Sequence, residues 1–456
     1  MRVPEVAVDA ARRAALEVLR QVDEDDAYAN LAMAGILARN GVCGRDAAFA
    51  TELAYGTLRW QGLYDVIIDS CITGNPSRLE PAIRLVLRLG THQLLGMRVP
   101  AHAAVDASTS LAKGTSERAK GRAGFVNAVL RSISRRDLHG WIAELGLEGD
   151  GTPTIDQLST RWSHPAWIVR AFADALGERR LELPALLEAD NGATRPTLVA
   201  RPGRLSPAEL HALPGVRPGR WSPLAGILDG GAPDALPAVR SGAAGVQDEG
   251  SQLVALALAS APISSAEGRW LDTCAGPGGK AAMLAGLAAQ QGARLLAVEP
   301  HAHRAGLVRS ALGSAVAEVL QADALAEPWG SARFDRVLVD APCTGIGALR
   351  RRPEARWRRQ PSDLVRLGSL QRGLVRVGLR ALAPGGVLAY ATCSPHLAET
   401  ESVVRDVVGK DPGCDLIEAS EFIGEVPDCR VGPFVQLWPH RHGTDGMFLA
   451  LIQRRC

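Results

Sequence analysis

Trp270-Leu-Asp-Thr-Cys-Ala-Gly-Pro-Gly-Gly-Lys280 begins as a short apolar strand and turns into a glycine-rich loop. Strand Trp270–Asp272, the loop, and a helix predicted over Lys280–Ala289 form one strand–loop–helix unit. The glycines let backbone come close to a ligand, and the amides at the helix start point into that space. A tight turn or a dinucleotide loop would have the same local texture. The spacing is not GxGxxG, and Lys280 is followed by Ala, where a phosphate-binding loop has Ser or Thr. Those departures argue against NAD and ATP and favour S-adenosyl-L-methionine. The backbone of Cys274, Ala275, Gly276, Pro277, Gly278 and Gly279, together with Lys280, is the candidate cofactor cradle.

From about residue 246 onward, apolar strands alternate with helices, the signature of a parallel α/β sheet. Helix Glu249–Ser260 precedes the loop, and strands are predicted at Arg294–Glu299, Glu318–Asp323, Arg336–Asp340 and Val387–Thr392. A last strand, Phe448–Gln453, is predicted to lie antiparallel at the sheet edge. Ligands of open α/β sheets bind at the carboxyl ends of strands. Glu299 is placed there to accept ribose hydroxyls, and Asp323 to accept from an adenine amino group. Either acid alone reads as a cap or a solvated strand end; their alignment with the glycine loop favours a cofactor site.

Two further strands end in Asp340-Ala-Pro-Cys343-Thr-Gly345 and Thr392-Cys393-Ser394. A lone cysteine is usually an inert small hydrophobe. Two of them at the ends of neighbouring parallel strands, with Asp340 close by, become candidates for covalent chemistry. CAGPGGK, DAPCTG and ATCS, in this order and spacing, resemble the RNA cytosine-5 methyltransferase family. The resemblance implies that Cys393, in the later motif, is the nucleophile and that Cys343 assists release of the methylated RNA. Cytosine C5 is too weakly nucleophilic to take a methyl group directly, and a thiolate adding at C6 activates it. Asp340 is then expected to hold the N3/N4 edge of the base. Lys280 is expected to act electrostatically on substrate or cofactor. Glu299 stands where Asp is more usual, Pro395 follows the TCS motif, and AETES replaces an ENE-like run.

Residues 8 to 137 read as helical throughout, from the spacing of Ala15, Leu19 and Val22, of Ile83, Val86, Leu87 and Leu94, and of Phe125, Val129, Leu130 and Ile133. DAAFATELAYGTLR, VPAHAAVDASTSLAK and GFVNAVLRSI look like the NusB RNA-binding domain. Joined to such a catalytic unit, they are similar to the ribosomal RNA small subunit methyltransferase B family. SHPAWIV, VQDEGSQLVALAL and GTDGMF also agree with that family. The expected fold is therefore multidomain. An all-α NusB-like bundle covers 1–145, a small α+β linker domain 146–245, and a Rossmann-like methyltransferase domain 246–456.

At 456 residues the chain has room for several cores, and its 46% apolar and 22% charged composition is that of a soluble protein. A net charge of +2 does not by itself mark a nucleic-acid binder, so any basic surface must be local. The densest basic stretch is Arg350-Arg-Arg-Pro-Glu-Ala-Arg356-Trp357-Arg358-Arg359. It follows the DAPCTG loop, and arginine beside an aromatic suits RNA contact, although a solvated helix face would read the same. Eight cysteines without a CxxC pair or zinc-finger spacing point to a reducing compartment and no metal site. Neither a secretory signal nor a membrane span is read, so a cytoplasmic, monomeric protein acting on 16S rRNA is expected. A tRNA substrate, a non-catalytic RNA-binding assembly factor and a nicotinamide oxidoreductase are the competing readings. The last leaves Cys343 and Cys393 without a role.

Overall fold

The computed structural model describes residues 9–115, 122–149, 151–264, 268–315 and 317–456. It divides into two compact units. One holds the described residues up to Arg170 together with Leu349–Arg358; the other holds Ala171–Ala348 and Arg359–Cys456.

The first unit is helical. Helices Ala10–Glu24, Ala29–Arg39, Gly44–Ser70, Pro81–Leu95, Ala101–Thr115, Ala123–Ile133, Leu138–Glu144 and Ile155–Arg161 follow in order. Polar side chains mark several starts: Asp9 accepts from the Arg12 amide, Asp137 from that of Gly140, and Thr154 and Gln157 form a reciprocal capping box. The apolar positions at helical spacing meet in one core, where Leu19, Ile83, Val86, Leu87, Leu130 and Ile133 are buried and Val22, Leu94 and Phe125 pack at its margin.

Leu349–Arg358 belongs to this unit, and some of the arginines expected to meet RNA are engaged within it. Arg356 is fully buried and donates through Nη1 to the carbonyls of Arg59 (2.7 Å) and Ser163 (3.2 Å). Arg358 donates to the Ala27 carbonyl and pairs with Asp26, and both Arg352 and Arg358 lie over the Tyr28 ring. The Trp357 ring lies against Gly62, where an added Cβ would stand 2.5 Å from it. Sequence windows measure charge density, whereas here the guanidinium groups of Arg356 and Arg358 donate to backbone carbonyls within the unit.

The second unit contains two sheets. In the smaller, β1 (Thr197–Ala200), β2 (Val216–Pro218), β3 (Ala225–Leu228) and β4 (Ala244–Val246) pair antiparallel in the order β2-β3-β1-β4. Helix Pro207–His211, opened by a Ser206–Glu209 capping box, adds Leu210 to the core of Leu198, Ala200, Val216 and Leu228.

The larger sheet comprises β5 (Arg269–Asp272), β6 (Arg294–Val298), β7 (Ala317–Leu320), β8 (Phe334–Asp340), β9 (Leu382–Thr392), β10 (Cys414–Ile417), β11 (Arg430–Val431), β12 (Phe434–Gln436) and β13 (Phe448–Arg454). Strands β7, β6, β5, β8 and β9 are adjacent and parallel. The chain runs outward from β5 through β6 to β7, then returns to the other side of β5 as β8. That reversal is a topological switch point, and it opens a crevice at the carboxyl ends of β5 and β8.

Side chains alternate between the two faces. Leu338, Val387 and Ala389 pack with Leu253, Leu258, Met283 and Leu284 on one side. Val337, Val339, Leu388 and Tyr390 pack with Leu374, Val375, Val403 and Val404 on the other.

Two strand expectations need correction. β13 is antiparallel to β9 as expected, but it is not an edge, because β12 and β10 pair along its other side. Leu449, Ala450, Leu451 and Ile452 are all buried, and an unbroken apolar run of this kind is that of a strand covered on both faces. β7 stops at Leu320, so Asp323 lies beyond the strand and accepts from the Leu325 amide to start a short turn.

Arg356→Ala should cost the first unit about 3 kcal/mol, since it strips two buried carbonyls of a charged donor. A urea unfolding curve that leaves the midpoint unmoved would contradict this role for Arg356.

Candidate active site

The carboxyl ends of β5 and β8 bring the glycine loop and the DAPCTG loop together. Gly278, at φ 111°, is the N-cap residue of helix Gly279–Gln290. A Cβ there would also stand 2.7 Å from that of Ala311, so only glycine fits. Gly276 comes close to the end of β6: its amide donates to Glu299 Oε2 at 3.1 Å, and a Cβ would sit 2.3 Å from that oxygen. Glu299 is buried, accepts also from the His301 amide at Oε1, and lies 3.6 Å from Arg304. Each of its oxygens keeps a further lone pair for a ligand hydroxyl. Asp323 is exposed and accepts within its own turn, outside this cluster.

Asp272 ends β5 with one oxygen accepting from the Cys274 amide at 3.1 Å. Its other oxygen, Oδ2, is buried without a partner, as are both polar atoms of the Gln247 side chain, which faces Gly279. Burial, and then the charge of Asp340, push the Asp272 carboxyl up to about 7. The Cys274 thiol is likewise pushed up by burial, as in an inert packing cysteine.

Lys280, one residue into the helix, donates to Asp340 Oδ2 at 2.8 Å and to Ser251 Oγ at 3.1 Å. Burial pulls its ammonium pKa down, but the charge and hydrogen bond of Asp340, with contributions from Cys393 and Asp272, outweigh burial and raise it. The ammonium therefore stays charged beside the sulfur of Cys393.

Cys343 and Cys393 meet with their sulfurs 3.5 Å apart. The hydrogen bond with Cys393 is the largest influence on Cys343 and, with burial, raises its pKa well above that of a free thiol. Cys343 thus keeps its proton and can donate it to the neighbouring sulfur. The backbone behind Cys393 is fixed as well. The Gly347 amide donates to the Cys393 carbonyl at 2.9 Å, and the Gly446 amide donates to the Gly347 carbonyl at 2.7 Å.

Asp340, Cys343, Cys393, Lys280 and the glycine loop are thus brought together, with Glu299 behind the loop. Sequence reasoning missed Gln247, Ser251 and Gly446 as parts of the site. They lie in VQDEGSQLVALAL and GTDGMF, and the usable signal was the likeness of those two segments to the family.

Comparison with known proteins bears on the chemistry. Residues 259–453 match the family described as 16S rRNA methyltransferase RsmB/F, and residues 9–135 match the NusB family. A probable ribosomal RNA small subunit methyltransferase B of Bacillus subtilis is 31% identical, over 97% of this chain and 98% of its own. The chain belongs to the RsmB/F methyltransferase family. A putative methyltransferase of Mycobacterium tuberculosis is 51% identical over 98% of this chain and 97% of its own. A methyltransferase homolog from Pyrococcus horikoshii superposes with a TM-score of 0.55 at 23% identity, covering 67% of this chain and all of the other, and supports the fold alone.

The cofactor is S-adenosyl-L-methionine, and the site fits it. A loop with no room for Cβ atoms, an unpaired oxygen of Asp272 and an unpaired Gln247 amide are what a polar, cationic ligand would satisfy.

Gly276→Ala is expected to displace Glu299 and weaken S-adenosyl-L-methionine binding at least about tenfold, or roughly 1.4 kcal/mol, by calorimetric titration. Asp272 makes a second expectation. Its pKa rises from an ordinary 3.8 to about 7 on folding, so the folded state binds the extra proton between those values. The resulting stability is present at low pH and is lost as pH rises through 7. Thermal unfolding of Asp272→Asn should decline less between pH 5 and 8 than that of the parent; parallel curves would refute the shift.

Proposed function

We propose that this chain methylates C5 of a cytosine in 16S rRNA through a covalent bond between Cys393 and C6 of the base. The observation that carries the reading is the pair of sulfurs 3.5 Å apart beside the Lys280–Asp340 ion pair. The chemistry then follows from the residues present. The Cys393 thiolate adds to C6, and the electron pair displaced from the C5–C6 bond makes C5 nucleophilic. Asp340, fixed by Lys280, holds the N3/N4 edge and favours protonation at N3, which stabilises the adduct.

Bound S-adenosyl-L-methionine supplies an electrophilic methyl group. Once C5 carries the methyl, its proton passes to water, the C–H pair re-forms the C5–C6 double bond, and the Cys393 sulfur leaves C6 with its bonding pair. Cys343, whose thiol keeps its proton, assists that elimination by donating to the departing sulfur.

The proposed cofactor contacts are the backbone from Cys274 through Ala275, Gly276, Pro277 and Gly278 to Gly279, with Lys280, Asp340, Glu299 for the ribose and Asp323 for the adenine. The turn hydrogen bond of Asp323 occupies Oδ1, which leaves Oδ2 for that contact. The helical region within 1–145 is assigned to RNA binding, the segment 146–245 to a linker, and 246–456 to catalysis. The target base must leave its stack to reach the crevice, so an RNA loop or bulge is the favoured substrate. Both the NusB match and the name of the Bacillus relative favour ribosomal RNA over tRNA.

RNA containing 5-fluorocytidine, which has no C5 proton to lose, should trap the protein through Cys393 when the methyl donor is present. Cys393→Ala should lose methyl transfer by at least about 10³-fold, the scale for removing a covalent nucleophile, and Cys343→Ala should accumulate the RNA–protein adduct. Methylation that survives in Cys393→Ala would end the covalent reading. Bisulfite sequencing of rRNA and tRNA from a strain lacking the protein names the substrate.

A further inference from the structure

Glu399 takes no part in the chemistry proposed above, yet its side chain is completely buried between the two cysteine loops. Its Oε1 accepts from the Thr344 amide at 2.8 Å and from Gln371 Nε2 at 3.1 Å. Its Oε2 accepts from the Thr344 hydroxyl and from the Ser394 hydroxyl, the latter at 2.7 Å. Thr344 directly follows Cys343, and Ser394 directly follows Cys393. One carboxylate therefore joins the residues next to both sulfurs.

The surroundings hold that carboxylate in turn. Gln371, on helix Asp363–Ala381, also donates to the Pro342 carbonyl at 2.9 Å, so it brackets Cys343 from the other side. Tyr390 donates to the Glu399 carbonyl at 2.6 Å, and the Glu399 amide donates to the His396 carbonyl at 2.8 Å. A buried carboxylate with four donors on two oxygens is well satisfied, and it has little freedom to move.

We propose that Glu399 is the positioning residue that sets the separation of Cys343 and Cys393. It touches neither base nor cofactor and acts by aligning Thr344 and Ser394. The proposal rests on the reading of the two cysteines as the reacting pair. It also makes a claim about thiol geometry that can be tested without methyl transfer.

The experiment uses the full chain and two readouts. Diamide takes the two thiol hydrogens as the Cys343–Cys393 disulfide forms, so the rate of that crosslink, followed by peptide mass, reports sulfur proximity. Glu399→Ala should slow the crosslink and lower kcat roughly a hundredfold, the scale of a misplacement of about 1 Å. KM for RNA and S-adenosyl-L-methionine affinity should stay within about threefold, because uniform binding is not what is lost. Glu399→Gln should recover most of both losses. Its amide oxygen can face Thr344 N and Gln371, while its NH₂ meets the two hydroxyls, which can turn to accept.

A folded Glu399→Ala with parental crosslinking and kcat overturns the proposal. So does a Gln variant as impaired as Ala, since that would make charge, not alignment, the active property. If Glu399→Ala does not fold, Ser394→Ala decides. It leaves the carboxylate three donors, and a slowing of about threefold or more is expected, on the scale of one lost hydrogen bond; parental rates overturn the proposal. An active Cys393→Ala would sink the covalent reading and leave the crosslinking result standing.

Discussion

The contact between Lys280 and Asp340 is the interaction on which the site depends. It joins the first turn of helix Gly279–Gln290 to the last residue of β8 across the switch point, with Ser251 of helix Glu249–Ser260 as a third partner. Three elements from different parts of the chain converge on one ammonium group. Lys280 is the more shielded partner, so removing Asp340 would leave a largely buried ammonium, which costs more than an exposed pair contributes. Burial, and then Asp340's charge, keep Asp272 from ionising at its ordinary pH. With the ammonium in place, the glycine loop, the paired sulfurs and the base-holding carboxylate all have fixed reference points.

Much of this arrangement is legible from residue order. Strand ends carrying CAGPGGK, DAPCTG and ATCS must converge once a parallel sheet is drawn, because side-chain alternation and crossover rules leave few other topologies. Helix Glu249–Ser260 and strands β5, β6, β8 and β9 fall where apolar runs and turn residues place them. The failures have physical reasons. Asp323 follows an apolar run and so looks like a strand end, but its side chain is used locally to start a turn. β13 comes last in the chain and so reads as an edge, while its FLALI run is that of a strand buried on both faces. The role of Glu399 could not be identified from sequence, because AETES holds two glutamates and only tertiary packing buries the first of them beside both cysteine loops.

The basic stretch after the DAPCTG loop shows the same limit from the other direction. Charge density alone suggests an RNA surface, yet Arg356 is buried against backbone carbonyls, and Arg352 and Arg358 stack on Tyr28. Guanidinium groups are suited to this because a planar fork can satisfy several acceptors at once and is weakly hydrated for a cation. Part of this segment is thus spent on the packing of the helical unit.

That segment also bears on the order in which the chain acquires structure. The polypeptide leaves the helical unit after Arg170, builds much of the sheet, returns for residues 349–358, and departs again. During synthesis the nascent bundle must therefore wait, with Tyr28 and the Arg59 carbonyl still facing water, until nearly two hundred further residues have left the ribosome. Domains usually mature in the order of translation. Here the amino-terminal unit is completed only once residue 358 has been made, after strands β1 to β8, and nascent chains cut off before that position would carry it in an unfinished, more easily digested form.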